Sequence, residues 1–64
     1  MYEEGRVELF GTVMVVTDHA VLFNDGFAED WLARSYICTD DELAVGAEVT
    51  IEVPKWAAVN KGFV

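Results

Sequence analysis

The side chains able to do chemistry are few. His19 follows Asp18, which suits a general base or a metal ligand, and Ser35 and Thr39 are the candidate nucleophiles. Nucleophilic catalysis needs a hydroxyl or thiol beside a base that a third group orients. One histidine completes no such set, and next to Asp18 it reads as a turn residue. A metal centre would have to gather His19, Cys38 and carboxylates that follow no ligand spacing. Asp40-Asp41-Glu42 lacks the alternating oxygen ligands and the glycine of a calcium loop. No carboxylate pair is set apart as a glycosidase would need. The sequence points to a binding protein rather than an enzyme, with no catalytic residue, no metal and no cofactor.

Charge is the stronger signal. Twelve acids face four bases, a net charge of −8 on 64 residues. A domain that grips phosphates would carry the opposite sign, which argues against nucleic acid and anionic membranes as partners. A basic protein surface is the partner such a field attracts. The same charge also keeps a small apolar domain soluble. The candidate partner-binding residues are Asp25, Glu29, Asp30, Asp40, Asp41, Glu42, Glu48 and Glu52. On an extended strand Glu48 and Glu52 share a face about 13 Å apart, from a rise of ~3.3 Å per residue. Glu8 joins them if the first strand pairs nearby. Trp31, Tyr36 and Trp56 are the possible stacking platforms for bases. With Arg6, Arg34, Lys55 and Lys61 as the whole set of arginines and lysines, Trp31 and Trp56 are assigned instead to the core.

These residues need a scaffold. A chain this short makes one domain, residues 1–64, which buries only about 60% of its unfolded surface. Cys38 stands alone, so no internal disulfide assists, and it reads as a half-buried hydrophobe in a reducing cytosol. Hydrophobic residues make up 53%, in runs far shorter than the ~20 residues of a membrane span. The chain reads as a soluble, cytoplasmic monomer.

Residues 20–37 organise it. The apolar run 20–23 meets Asn24-Asp25-Gly26, a turn signal, and residues 31–37 carry the chain back. The intervening loop, residues 24–30, holds Asp25, Glu29 and Asp30, with Leu22, Phe23, Trp31 and Ile37 expected in the core and Phe27 as an exposed anchor. Residues 1–5 read as a frayed lead-in. Residues 6–17 read as a long strand, apolar on both parities, that bends at a bulge near Gly11. Thr39 or Asp40 is expected to cap a helical turn closed by residues 43–46. Residues 47–53 alternate as a half-buried strand. Pro54 then opens a short helix, residues 55–60, pinned by Trp56 and Val59 and stopped by Lys61-Gly62, with Phe63 and Val64 folding back. The expected fold is mainly β, a small α+β domain. It is a four- to five-stranded twisted antiparallel sheet, or an SH3- or OB-like half-barrel, with a short C-terminal helix.

Residues 31–37, Trp-Leu-Ala-Arg-Ser-Tyr-Ile, resemble a family of small phage-encoded proteins. That family runs Trp-Leu/Ile-Pro-Lys-Ser-Gln-Ile after an Asp-Gly turn and ends in Pro-x-Trp-Leu-Ala-x-x-Lys-Gly-Leu. The matching positions are Asp25, Gly26, Trp31, Leu32, Ser35, Ile37, Gly46, Pro54, Trp56, Ala58, Lys61 and Gly62, within residues 20–64. The chain departs at Ala33, Tyr36 and Ala57, where that family has proline, glutamine and leucine. The resemblance implies a phage or mobile-element origin and a small β fold. Size, acidity and phage character together also resemble the anti-CRISPR proteins, in particular the short type I-C inhibitors, and several anti-CRISPR proteins are acidic DNA mimics. That second resemblance implies an inhibitor that covers a basic, DNA-recognising surface of a type I CRISPR complex. The alternative is a phage accessory module that binds single-stranded nucleic acid or a replication protein through its barrel face.

Overall fold

The computed structural model describes residues 5–64. Of the expected lead-in, residues 1–4 lie outside the described residues. The chain runs Arg6–Val16 (β1), Ala20–Asn24 (β2), Glu29–Ala33 (β3), a 3-10 turn at Arg34–Tyr36, Glu48–Pro54 (β4) and a helix at Lys55–Asn60 (α1). The strands form one open antiparallel sheet in the order β3-β2-β1-β4. It is mainly β with one short C-terminal helix, the architecture expected from the sequence.

Strand β1 is long because it serves two partners in succession. Its first half pairs with β4, from Arg6 opposite Pro54 to Thr12 opposite Glu48, and its second half pairs with β2. Thr12 faces partners on both sides, Glu48 and Asn24. A bulge is present as expected, but at Met14 rather than near Gly11. Val13 faces Phe23 and Val15 faces Leu22, so Met14 is the extra residue. The slip reverses the alternation. Leu9 and Val13 point inward before it, and after it Val16 packs against the core while Val15 is exposed. Gly11 has a different duty. A Cβ there would run into the Asn24 carbonyl oxygen and lie 2.9 Å from the Asp25 Cα, so the end of β2 can cross there because Gly11 has no side chain.

The β2–β3 hairpin closes with a shorter loop than the sequence suggested. Asn24 Oδ1 accepts from the Gly26 N–H, and Asp25 Oδ1 accepts from the N–H groups of Phe27 and Ala28. Those side chains satisfy the turn within residues 25–28, so pairing starts at once with Asn24 opposite Glu29. Glu29 and Asp30 therefore belong to β3, not to the loop. The third strand ends at Ala33, earlier than expected, and the chain crosses through the 3-10 turn to the far edge of the sheet. There Cys38 and Glu52 exchange backbone hydrogen bonds, Cys38 N–H to Glu52 O and Glu52 N–H to Cys38 O, both 2.8 Å.

That crossing forces the sheet to curl. Five Cα-to-Cα steps lead from Ala33 to Cys38 and reach at most about 18 Å. Four flat strand spacings would need about 19 Å before any stagger along the strands is added. The curl wraps the inner face around a core of Leu9, Val13, Val21, Phe23, Leu32, Val49, Ile51 and Val53. The expected helical turn after Thr39 does not form. Thr39 Oγ1 instead donates to Thr50 O at 2.7 Å, and Asp41 Oδ2 accepts from the Thr50 N–H at 3.1 Å. Thr39 Oγ1 also accepts from the Asp41 N–H at 3.0 Å, so these side chains tie the loop to the edge of β4 and no helix follows.

The helix is held by small residues. Ala57 and Ala58 are buried, whereas Trp56 and Val59, the expected pins, are exposed. Ala side chains let the helix axis lie close to the sheet. Its end carries a Schellman motif: Phe63 N–H donates to Ala58 O, Gly62 N–H donates to Val59 O, and Gly62 has φ +84. The motif swings Phe63 under the sheet, edge-on to Phe23 with ring centroids 5.8 Å apart, while Val64 stays exposed.

Two outcomes follow for stability. Gly11→Ala is expected to destabilise the fold by about 1–3 kcal/mol through the clash with β2, read as a lowered urea midpoint. Phe63→Ala is expected to cost about 3–5 kcal/mol, a large share of the ~5–15 kcal/mol typical of a domain, and to leave a substantially unfolded chain by circular dichroism.

Candidate functional site

The curl gives the sheet a filled inner face and an uncovered outer one. On the outer face the strand pairing arranges side chains in rows, about 7 Å apart along the strands. Glu8 lies directly opposite Glu52. The next row is Phe10 opposite Thr50. Beyond it one row crosses all four strands: Glu48, Thr12, Asn24, Glu29. The last is apolar, Val15, Leu22 and Trp31.

The structure thus places Glu48 and Glu52 on one face, as their spacing predicts, and adds Glu8 through the β1–β4 register. Glu29 joins the same face because Asn24 pairs with both Thr12 and Glu29, and Asn24 Nδ2 donates to Glu29 Oε1 at 2.8 Å. Phe10 sits among these carboxylates with 63% of its surface exposed. It was absent from the sequence-based site. Its parity within the first strand is the available signal, and the apolar content of both parities obscured it.

Asp40 and Asp41 approach from the loop beside β4. With Glu8, Cys38, Thr50 and Glu52 they border a recess of about 350 Å³. Asp40, Asp41 and Glu42 are all exposed, and of the three Asp41 is engaged with the Thr50 N–H. Cys38 is exposed too, contrary to the half-buried position expected of it, because its role in the fold is carried by its backbone. Among the described residues no group of three His, Cys, Asp or Glu side chains is placed to hold a metal ion. None of the described helices is long and apolar enough to cross a membrane.

The remaining candidates divide differently. Asp25 is occupied by the turn, and Asp30 pairs with Lys61 at 3.9 Å and accepts from the Trp31 N–H. These two carboxylates therefore hold structure as well as charge. Phe27, at the tip of the same loop, is 99% exposed. Trp31 and Leu22, expected in the core, lie on the outer face instead, because Val21, Phe23 and Leu32 fill the inner positions.

The outer face also carries an electrostatic cost. Like charges directly opposite on antiparallel strands repel. Arg6 offsets part of this, with Nε 3.7 Å from Glu52 Oε1 and its guanidinium donating to the Glu52 and Tyr36 carbonyl oxygens. Glu8 gains no ion pair among the described residues. Comparison with protein-family models, curated proteins and solved structures finds no match.

Glu8→Thr is accordingly expected to stabilise the fold by about 0.2–1 kcal/mol. Glu48→Thr, opposite the neutral Thr12, serves as the control and is expected to change stability less. Urea unfolding of both variants checks this, and the gain from Glu8→Thr is expected to shrink at high salt.

Proposed function

We propose that this chain is an acidic binding domain that covers a basic, nucleic-acid-recognising protein surface with the outer face of its sheet. The observation that carries the reading is the pairing of Glu8 with Glu52 beside exposed Phe10 and Glu48. Folding gains nothing from two carboxylates face to face, nor from a phenylalanine left in water. Binding gains from both. Carboxylates meeting Arg or Lys form charge-assisted hydrogen bonds, and a central aromatic ringed by polar groups is the composition of an interface hot spot.

Spacing sets how far DNA mimicry extends. A duplex strand places a phosphate every ~3.4 Å of axis, so the ~13 Å from Glu48 to Glu52 would span about four phosphates. The face offers its carboxylates only in two end rows, Glu8 with Glu52 and Glu48 with Glu29, and an aromatic between them. It suits a basic protein groove through overall charge and an apolar anchor rather than by copying phosphates one for one. The likeness to small phage proteins and to acidic anti-CRISPR inhibitors makes a type I CRISPR complex the first target to assay.

The test is a gel shift of such a complex with its target DNA, at low and physiological salt. The unaltered chain is expected to abolish the complex's shift and to leave free DNA unshifted. The double variant Glu8→Lys with Glu48→Lys, and separately Phe10→Ala, are expected to weaken inhibition by about tenfold or more. These positions report on contact more cleanly than Asp25 or Asp30, whose side chains also hold the hairpin. A chain that shifts DNA by itself, or inhibition indifferent to both variants, would refute the reading.

A further inference from the structure

The sheet has two edges, and the chain treats them differently. The edge of β4 is closed by the Cys38 bridge and by the Thr39 and Asp41 side chains. The edge of β3 is open: among the described residues no segment pairs along its outer side. The Arg34 N–H donates to His19 O, which fixes the alternation of the ladder. Asp30 and Leu32 thus turn their backbone groups toward β2, and Glu29, Trp31 and Ala33 turn theirs outward. The Trp31 N–H is met by the Asp30 side chain at 2.6 Å rather than by another strand.

This open edge faces α1 across a groove of about 470 Å³, bordered by Trp31, Ala33, Tyr36, Trp56, Asn60 and Lys61. Its volume lies within the range of ligand-binding clefts. Its walls are aromatic and held in place. Tyr36 and Trp56 pack edge-on with centroids 5.0 Å apart, yet Trp56 remains 46% and Trp31 40% exposed. In a curled sheet that stops short of closing, this is the seam another strand would fill.

We infer that the seam is a second binding site, beside the acidic outer face and sharing Trp31 with it, and that it takes an extended basic segment of a partner protein as an added strand on β3. Strand addition uses the backbone groups of the edge for affinity and pockets for alternate side chains for specificity. The open edge supplies the first, and the Trp31–Tyr36–Trp56 groove supplies the second. Charge chooses the occupant. Lys61 on the groove wall is already paired with Asp30 at 3.9 Å, so the charge left at this edge is that of Glu29 and of the chain's net −8, which repels a second copy. A single nucleic acid strand would stack on the aromatics but meet the same field with its phosphates. A segment alternating Lys or Arg with apolar residues satisfies the edge, the groove and the field together.

The test uses a display library of random peptides, selected on the folded chain. Enriched sequences are expected to alternate basic and apolar residues. Their affinity, followed by tryptophan fluorescence, is expected to fall about tenfold or more in Trp56→Ala, and likewise in Asn60→Tyr, which fills the groove without removing an aromatic. Methylating alternate backbone amides of a selected peptide is expected to abolish binding in one register and spare it in the other. Circular dichroism confirms that both variants fold. No enrichment, binding indifferent to both variants, or binding indifferent to the methylation register would overturn the inference. So would an oligothymidine that binds in place of the peptides and is lost in Trp56→Ala, or a dimer lost in the same variant.

Discussion

Everything in this fold depends on one strand changing partners. β1 leaves β4 and joins β2 within a single turn of sheet, and Thr12, opposite both Glu48 and Asn24, is where the two ladders overlap. Three local features make that possible. Gly11 removes the side chain that would collide with Asn24. The Met14 bulge re-aims the second half of the strand so that Val16 reaches the core. The short crossing from Ala33 to Cys38 draws the two edges of the sheet toward each other. Without this curl, the four strands would present a flat face that one six-residue helix could not cover. With it, a single layer folds around its own core, and Ala57, Ala58 and Phe63 close the open end.

Period and turn chemistry made much of this readable from the sequence. The clean alternation after Ala47 identifies β4, Pro54 marks the junction with the helix, and Lys61-Gly62 marks its end. Those signals are local, and the backbone obeys them. The failures are of another kind. Trp31, Trp56 and Val59 were assigned inward because large apolar residues are usually needed in so small a core. The choice between two faces, however, rests on cross-strand register, which residues far apart in the chain decide together. Thr39 and Asp40 carry a helix-capping signal that is locally reasonable. Thr39, with its neighbour Asp41, is drawn away by the unpaired edge of β4, a partner that no local window contains. The bulge was legible as an event and not as a position, since both parities of β1 are apolar.

The candidate site shows the same division. Glu48 and Glu52 share a face by spacing alone, but Glu8 and Glu29 reach it through pairing with β4 and β2. Asp25 and Asp30, close in sequence to Glu29, are diverted into the turn and into the Lys61 pair. An acidic cluster in the sequence is therefore split by the fold into charges that hold structure and charges left facing solvent. The second group is the one available to a partner.

The same distinction separates the two edges of the sheet. Natural sheets protect exposed edges because unpaired backbone groups recruit other strands. Here β4 receives that protection from backbone and side chains alike. β3 receives the Asp30 carboxylate on the Trp31 N–H and carries Glu29 beside it. Acids on an edge repel a second copy of themselves, which guards against self-association, but they do not repel a basic strand. They filter by charge rather than closing the edge. The acids of the outer face act by the same rule on a larger scale, and both surfaces select partners of one electrostatic kind. A basic partner with one folded surface and one extended segment would satisfy both, and linking the two contacts would raise its avidity beyond either one.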